Sequence, residues 1–486
     1  VPRVRFFLLL LLICVLLRAF WWPFVWADEG LWFTVAQELL RGKALYRDIW
    51  FDKPPGLAIL YAALFAPGVA PLAVVRLFAM LYSFAIAVFL WHMGRTLWSE
   101  KEGRWAALLY AFHNASYFPA QMQPLAADHA LLLPYLAAGF LYLRGRGTMS
   151  GLAASLAFQL NPKALALFLL ALGVEALEPR GRRLLAFAAG FGAGTVPWIA
   201  WLVAGDMWSG YREQFWGWGL RYASVYGLGE SALRGLRQTL AWGGFHLPLI
   251  LGGALLFYCR PEAPDLDRKR ASHALLIWLA VSFLGVASGG RFFARYYFQI
   301  LPLACLLAAR GWQLYRAARG PSWWRYAALA GLLLATVRFH TRTAVLVYEA
   351  VTGRQTRYMA EWPDTALDRE SRAIAARIGR GRSLFVWGYR PEIYFYCQCP
   401  PASSFLSSQP LTGVPADVHL RQSQAVVLEE PVRNRGLLVY QLRSTRPEFI
   451  VDGLGPYNPN LRMDSFPELE IVLRDYQRDG WIYRHR

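Results

Sequence analysis

Ionisable residues are scarce in this chain: over 486 positions, Asp, Glu, Lys and Arg make up 17 %, against 56 % apolar residues. An ordinary soluble globule carries about a quarter charged residues, so that class is excluded. Lysine is the rarest of the four, with 5 residues against 46 arginines. Acidic groups number 32 against 51 basic ones, yet the basic excess is not gathered into a stripe, which speaks against nucleic acid as a partner. Cysteine is sparse too. Cys14, Cys259, Cys305, Cys397 and Cys399 form neither an even-numbered framework nor a regular ligand spacing, so no disulfide scaffold and no zinc site is indicated. Cys397 and Cys399 are expected as free thiols, because a bridge across one residue needs strain.

What the chain does hold is long apolar runs. They lie at 6–26, 72–94, 105–119, 125–143, 149–160, 164–177, 184–204, 241–258, 273–288, 297–309 and 326–340. A bilayer span takes about 20 residues, fewer when buried among other helices. With eleven spans and the N-terminus inside, the loops on the N-terminal side carry 18 Lys or Arg in 56 residues, and the opposite loops 11 in 97. That asymmetry is the positive-inside pattern, and merging 149–160 with 164–177 into one helix would put Arg180, Arg182 and Arg183 on the wrong side. The expected architecture is therefore a polytopic α-helical membrane domain, residues 1–340, followed by a small extracytoplasmic α/β domain, 341–486. Its expected elements are a helix at 364–380 and apolar runs at 383–387, 425–428, 448–452 and 469–473. Residues 1–27 read as a retained anchor, the rival being a signal peptide cleaved after Val25-Trp26-Ala27. The Arg-rich, Lys-poor usage fits a bacterial inner membrane.

Chemistry is expected in the outer loops, where the polar residues concentrate. Asp28 and Glu29 follow the first span, and either serves as a general base or as a polar cap on the next helix. Lys53, held by Pro54 and Pro55, suits a phosphate at headgroup level, although lysines also snorkel there. Residues 57–66 are too few to cross and read as a surface helix.

The run from Asp28 to Pro55, with its Asp-Glu pair, Gly42-x-x-x-Tyr46 and Lys53-Pro54-Pro55, resembles the first outer loop of the GT-C membrane glycosyltransferases. Among these it is similar to the protein O-mannosyltransferases and the lipid A aminoarabinose transferases. Arg76, the Gly290–Tyr297 run before Leu301-Pro302, and the segment Phe385–Tyr394 extend the resemblance over most of the chain. It implies transfer of a sugar from a polyprenyl-phosphate donor to a lipid, glycan or protein acceptor on the extracytoplasmic face. It also implies a catalytic role for Asp28, with Glu29 beside it, and a phosphate-binding role for Lys53. No nucleotide or redox cofactor is called for, no metal ligand set is assigned, and a divalent ion is left open. A single base with an in-line acceptor would invert the anomeric carbon.

Further candidates lie on the same side. Asp128 stands near the outer end of the fourth span, and Lys163 in the Asn161-Pro162-Lys163 break, where irregular backbone is tolerated if it faces a cavity. Arg291 and Arg295 suit phosphate, with Tyr46, Tyr296 and Tyr297 as cavity residues; an interfacial belt would look the same. His246 reads as a structural hydrogen bonder. A transporter or flippase is the alternative class, disfavoured because no paired halves appear.

Overall fold

A computed structural model of the chain describes residues 3–177, 181–259, 266–415, 418, 423–425 and 429–486. Expected elements at 178–180, 260–265 and 426–428, including Arg180 and most of the 425–428 run, lie outside the described residues. Helix occupies most of each of the eleven apolar segments. Among the described residues three helices, Pro71–Leu97, Gly181–Ala204 and Lys269–Gly290, are by themselves long and apolar enough to cross a bilayer.

Close helix packing is written in small residues. A Cβ on Gly151 would fall 2.1 Å from the Phe187 carbonyl oxygen, and one on Gly190 2.2 Å from that of Thr148. Reciprocal glycines thus let Gly147–Leu160 and Gly181–Ala204 approach backbone to backbone.

The segment 241–258, expected as one span, is instead broken. Helix Leu228–Phe245 ends at His246 and Leu247–Tyr258 leaves at 91°. Pro248 has no N–H to continue the first helix and is preorganised to start the second. His246 Nδ1 lies 2.8 Å from the Trp242 carbonyl oxygen, inside the break.

The helical run that begins at Trp323 continues through 336–340 to Thr352, so a boundary at 340 falls inside it. Beyond it, strands β1 (Leu384–Trp387), β2 (Phe449–Asp452), β3 (Tyr476–Asp479) and β4 (Ile482–His485) form one sheet in the order β1-β2-β4-β3. The first pair is parallel and the others antiparallel. Along β1 alternate side chains serve two cores: Phe385 and Trp387 pack with Leu438 and Ile450, while Leu384 and Val386 belong to the core that includes Phe33 and Tyr61. The C-terminal sheet is thereby packed against helices Ala27–Leu40 and Pro55–Phe65.

Two expectations for this domain are corrected. The 469–473 run lies in a helix, Pro467–Leu473, because Pro467 opens it and Glu468 and Glu470 occupy its first turn. Cys397 and Cys399 are bonded to each other. Helix Glu392–Cys397 ends there and Gln398 takes a left-handed turn (φ 52°), bringing the two Cα atoms to 5.2 Å, within bridging range.

Candidate active site

Helix Ala27–Leu40 starts directly after the Trp-rich turn, with Asp28 and Glu29 in its first turn, where unpaired N–H groups favour carboxylates. Successive helical residues point about 100° apart, and these two diverge. Glu29 is fully buried and grips Arg76 through two bonds, Nη1 to Oε1 at 2.5 Å and Nη2 to Oε2 at 2.7 Å. Arg76 also donates to the carbonyls of Trp22 (3.2 Å) and Phe24 (2.5 Å). The pair pins the helix start to Pro71–Leu97, and Glu29 does not line the cavity described next.

Asp28 faces a cavity of about 770 Å³ between the helical domain and the C-terminal domain. Seven of the ten candidate residues line it: Asp28, Lys53, Asp128, Lys163, Arg291, Arg295 and Tyr296. Along one wall they form a chain of alternating charge. Asp28 Oδ2 is paired with Arg295, whose Nε lies 3.7 Å from Asp128 Oδ2. Asp128 Oδ1 accepts from Lys163 Nζ at 2.7 Å and from Asn161 at 3.2 Å. Lys163 Nζ sits 3.0 Å from the centre of the Tyr296 ring. The backbone break supplies this placement, since Asn161 Oδ1 accepts from the Lys163 N–H and caps the short 3₁₀ turn Pro162–Leu165.

On the other wall, Lys53 Nζ donates to Asp52 at 2.6 Å and lies 5.9 Å from the Tyr222 ring centre. The Arg291 guanidinium covers the same ring at 3.5 Å and donates to the Tyr222 carbonyl at 3.1 Å. Tyr46 is not a lining residue. Its hydroxyl donates to the Lys53 carbonyl at 2.6 Å, so it holds the Lys-Pro-Pro turn from behind. Tyr297 also lies outside, stacked on Trp242 with its hydroxyl 2.8 Å from Thr239 Oγ1.

One contact to Asp28 has no forerunner among the sequence candidates. The Tyr389 hydroxyl donates to Asp28 Oδ1 at 2.5 Å, across 361 positions. Tyr389 stands in the Phe385–Tyr394 segment that carries the family resemblance, and that was the available signal. Its approach depends on Gly30, where a Cβ would fall 2.6 Å from the Glu392 backbone nitrogen.

Burial pushes the Asp28 carboxyl up, but the Arg295 guanidinium, the Tyr389 hydroxyl and Lys53 together hold it below the usual carboxylate range. Burial, followed by the nearby Asp28, drives the Tyr389 phenol well above its ordinary value, so it remains a donor. Burial lowers Lys163 to about 8, against the opposing pull of Asp128.

Among the described residues no three His, Cys, Asp or Glu side chains gather as a ligand set, and the lining carboxylates Asp28, Asp52, Asp128, Asp368 and Glu392 each lie beside a cation.

No protein-family description and no curated protein matches the chain. Solved structures of an oligosaccharyltransferase from Archaeoglobus fulgidus are similar to it. One, tethered with an acceptor peptide, has 14 % identity and a TM-score of 0.49, with 92 % of this chain and 68 % of that one covered. Another, in complex with an inhibitory peptide and a dolichol-phosphate, has 12 % identity and a TM-score of 0.48, covering 99 % and 74 %. A third, in complex with Zn and sulfate, has 12 % identity and a TM-score of 0.46, covering 97 % and 71 %. Likeness at this level carries no argument about what this chain does.

Proposed function

We propose that this chain is an integral-membrane glycosyltransferase of the GT-C type, using a sugar on a polyprenyl phosphate as donor and acting on the extracytoplasmic face of a bacterial inner membrane. The observation that carries this reading is one cavity in which an oriented, ionised carboxylate, Asp28, shares space with Lys53, Lys163, Arg291 and Arg295. Cations of that number suit a leaving phosphate, and the carboxylate suits an acceptor hydroxyl.

In the proposed step the acceptor oxygen attacks the anomeric carbon as the bond from that carbon to the phosphate oxygen breaks. The acceptor proton passes to Asp28 and the polyprenyl phosphate leaves as an anion held by the cations. Arg295 has two uses here. When it turns from Asp28 to the donor phosphate, Asp28 loses its principal counter-ion and becomes the stronger base that the step needs. Attack opposite the leaving group gives inversion. The acceptor is a glycolipid, a lipopolysaccharide, a cell-wall glycan or a protein hydroxyl, and the chain crosses the membrane eleven times with its N-terminus cytoplasmic.

The test is transfer from a polyprenyl-phosphate sugar by full-length protein in nanodiscs. Asp28→Asn and Lys53→Ala are each expected to abolish transfer while the protein still inserts and unfolds at its normal temperature. Full activity in both variants would end the proposal.

A further inference from the structure

Helix Leu228–Phe245 has no place in the chemistry above, yet its two faces are sharply different. Leu233, Leu236 and Leu240 recur at helical spacing and are 58 %, 59 % and 67 % exposed. The opposite face is fitted to loop residues beside the cavity: Gly235 against the Phe292 ring, Ser231 against Gly290, and Thr239 bonded to Tyr297. At His246 the chain turns by 91° into the apolar helix Leu247–Tyr258. If that second helix crosses the bilayer, the first lies along its surface with the leucines toward lipid.

From the edge of this leucine face a file of cations and phenol rings leads inward. The Arg234 guanidinium, which also pairs with Glu230 at 3.1 Å, lies 4.0 Å from the Tyr226 ring centre. Arg291 lies 5.0 Å from the same ring and 3.5 Å from that of Tyr222, and Lys53 lies 5.9 Å from the Tyr222 ring. Tyr222, Arg291 and Lys53 line the cavity, whereas Arg234 and Tyr226 do not. The file therefore begins outside the cavity, beside an apolar face, and ends inside it.

We infer that this helix is the docking and entry surface for an isoprenoid phosphate: the apolar tail rests on Leu233, Leu236 and Leu240, and the phosphate passes from Arg234 to Arg291 and Lys53. The inference rests on the transferase reading for the identity of its ligand. A phosphate leaving the bilayer surface loses water, and cations spaced by aromatic rings keep it paired along the way. The rings hold each guanidinium in place, and Arg234 is paired with Glu230 besides.

The probes are undecaprenyl phosphate and geranyl phosphate, without sugar, bound to full-length protein in nanodiscs and followed by native mass spectrometry and tryptophan fluorescence. Replacing the three leucines together by Gln is expected to weaken undecaprenyl phosphate about tenfold and to leave geranyl phosphate unchanged. Arg234→Gln should slow association of both several-fold with kcat unaltered, and Arg234→Lys should restore the rate. Equal loss for long and short tails in the triple-leucine variant, no loss for either in any variant, or full displacement by phosphatidylglycerol would overturn the inference. Tail-length-dependent binding without sugar transfer by the unaltered protein would instead sink the transferase reading and leave the lipid-phosphate surface standing. Transfer that is indifferent to all these substitutions would sink the entry surface alone.

Discussion

Tyr389→Phe removes one oxygen atom and isolates what the C-terminal domain does for the carboxylate. In the intact protein the Tyr389 hydroxyl donates to Asp28 Oδ1 at 2.5 Å. A hydrogen bond to a charged group contributes about 1.5–3 kcal/mol. Spent wholly on the ionised form of Asp28, that is a shift of about one to two pH units. Arg295 and Lys53 remain and continue to favour the carboxylate, so about one unit is expected. The direction follows from the sign of the bond: it stabilises the ionised form, hence its loss raises the Asp28 pKa. The acid limb of the pH profile of kcat/KM, which reports free enzyme, should therefore move upward, toward the ordinary carboxylate range. The same donor and acceptor serve both proteins, so their own titrations cancel. An acid limb that stays in place, or moves downward, refutes the assignment of Asp28 as the titrating base under Tyr389.

Lys163, lowered to about 8 by burial, should set the basic limb. Transfer is expected to fall as pH rises through that value, because the neutral amine no longer attracts phosphate. Lys163→Arg should keep transfer going at higher pH, and a wild-type profile that stays flat to about pH 10, the range of an ordinary lysine, would contradict this. For the Glu29–Arg76 pair, Glu29→Leu alone leaves a buried guanidinium without its counter-charge and should cost about 3–5 kcal/mol of stability. Adding Arg76→Met should recover the unfolding midpoint and transfer together; a double variant that folds but does not transfer would give Glu29 a chemical role.

How much of this was legible beforehand depended on the range of each interaction. Apolar runs are local, so helix at all eleven segments could be read from composition, and so could the break at Asn161-Pro162-Lys163 that aims Lys163 inward. Loop cations were legible as candidates because lysine and arginine suit phosphate and because the family resemblance reaches them, and Lys53, Lys163, Arg291 and Arg295 do converge on one cavity. Adjacency misled at Glu29, since neighbours in sequence are not neighbours in direction on a helix. Tyr46 and Tyr297 were candidates through the Gly-x-x-x-Tyr motif and the Gly290–Tyr297 run that carry the family resemblance; their hydroxyls are engaged outside the cavity.

The contact that completes the candidate site was the least legible, and the reason is structural. Tyr389 reaches Asp28 where β1 buries both faces, setting Leu384 and Val386 into the core that includes Phe33 and Tyr61, while Gly30 lets the Glu392 backbone come within contact of helix Ala27–Leu40. Each of those features taken singly is ordinary: a four-residue apolar strand, a glycine in a helix, a tyrosine after a Gly. Their meaning lies in pairings separated by more than 350 positions, for which one sequence has no local signature. The carboxylate's state is thus set jointly by Arg295 from the helical domain and Tyr389 from the C-terminal domain. Loss of either contact raises the Asp28 pKa, and the acid limb of the pH profile is therefore a gauge of how the two regions are docked.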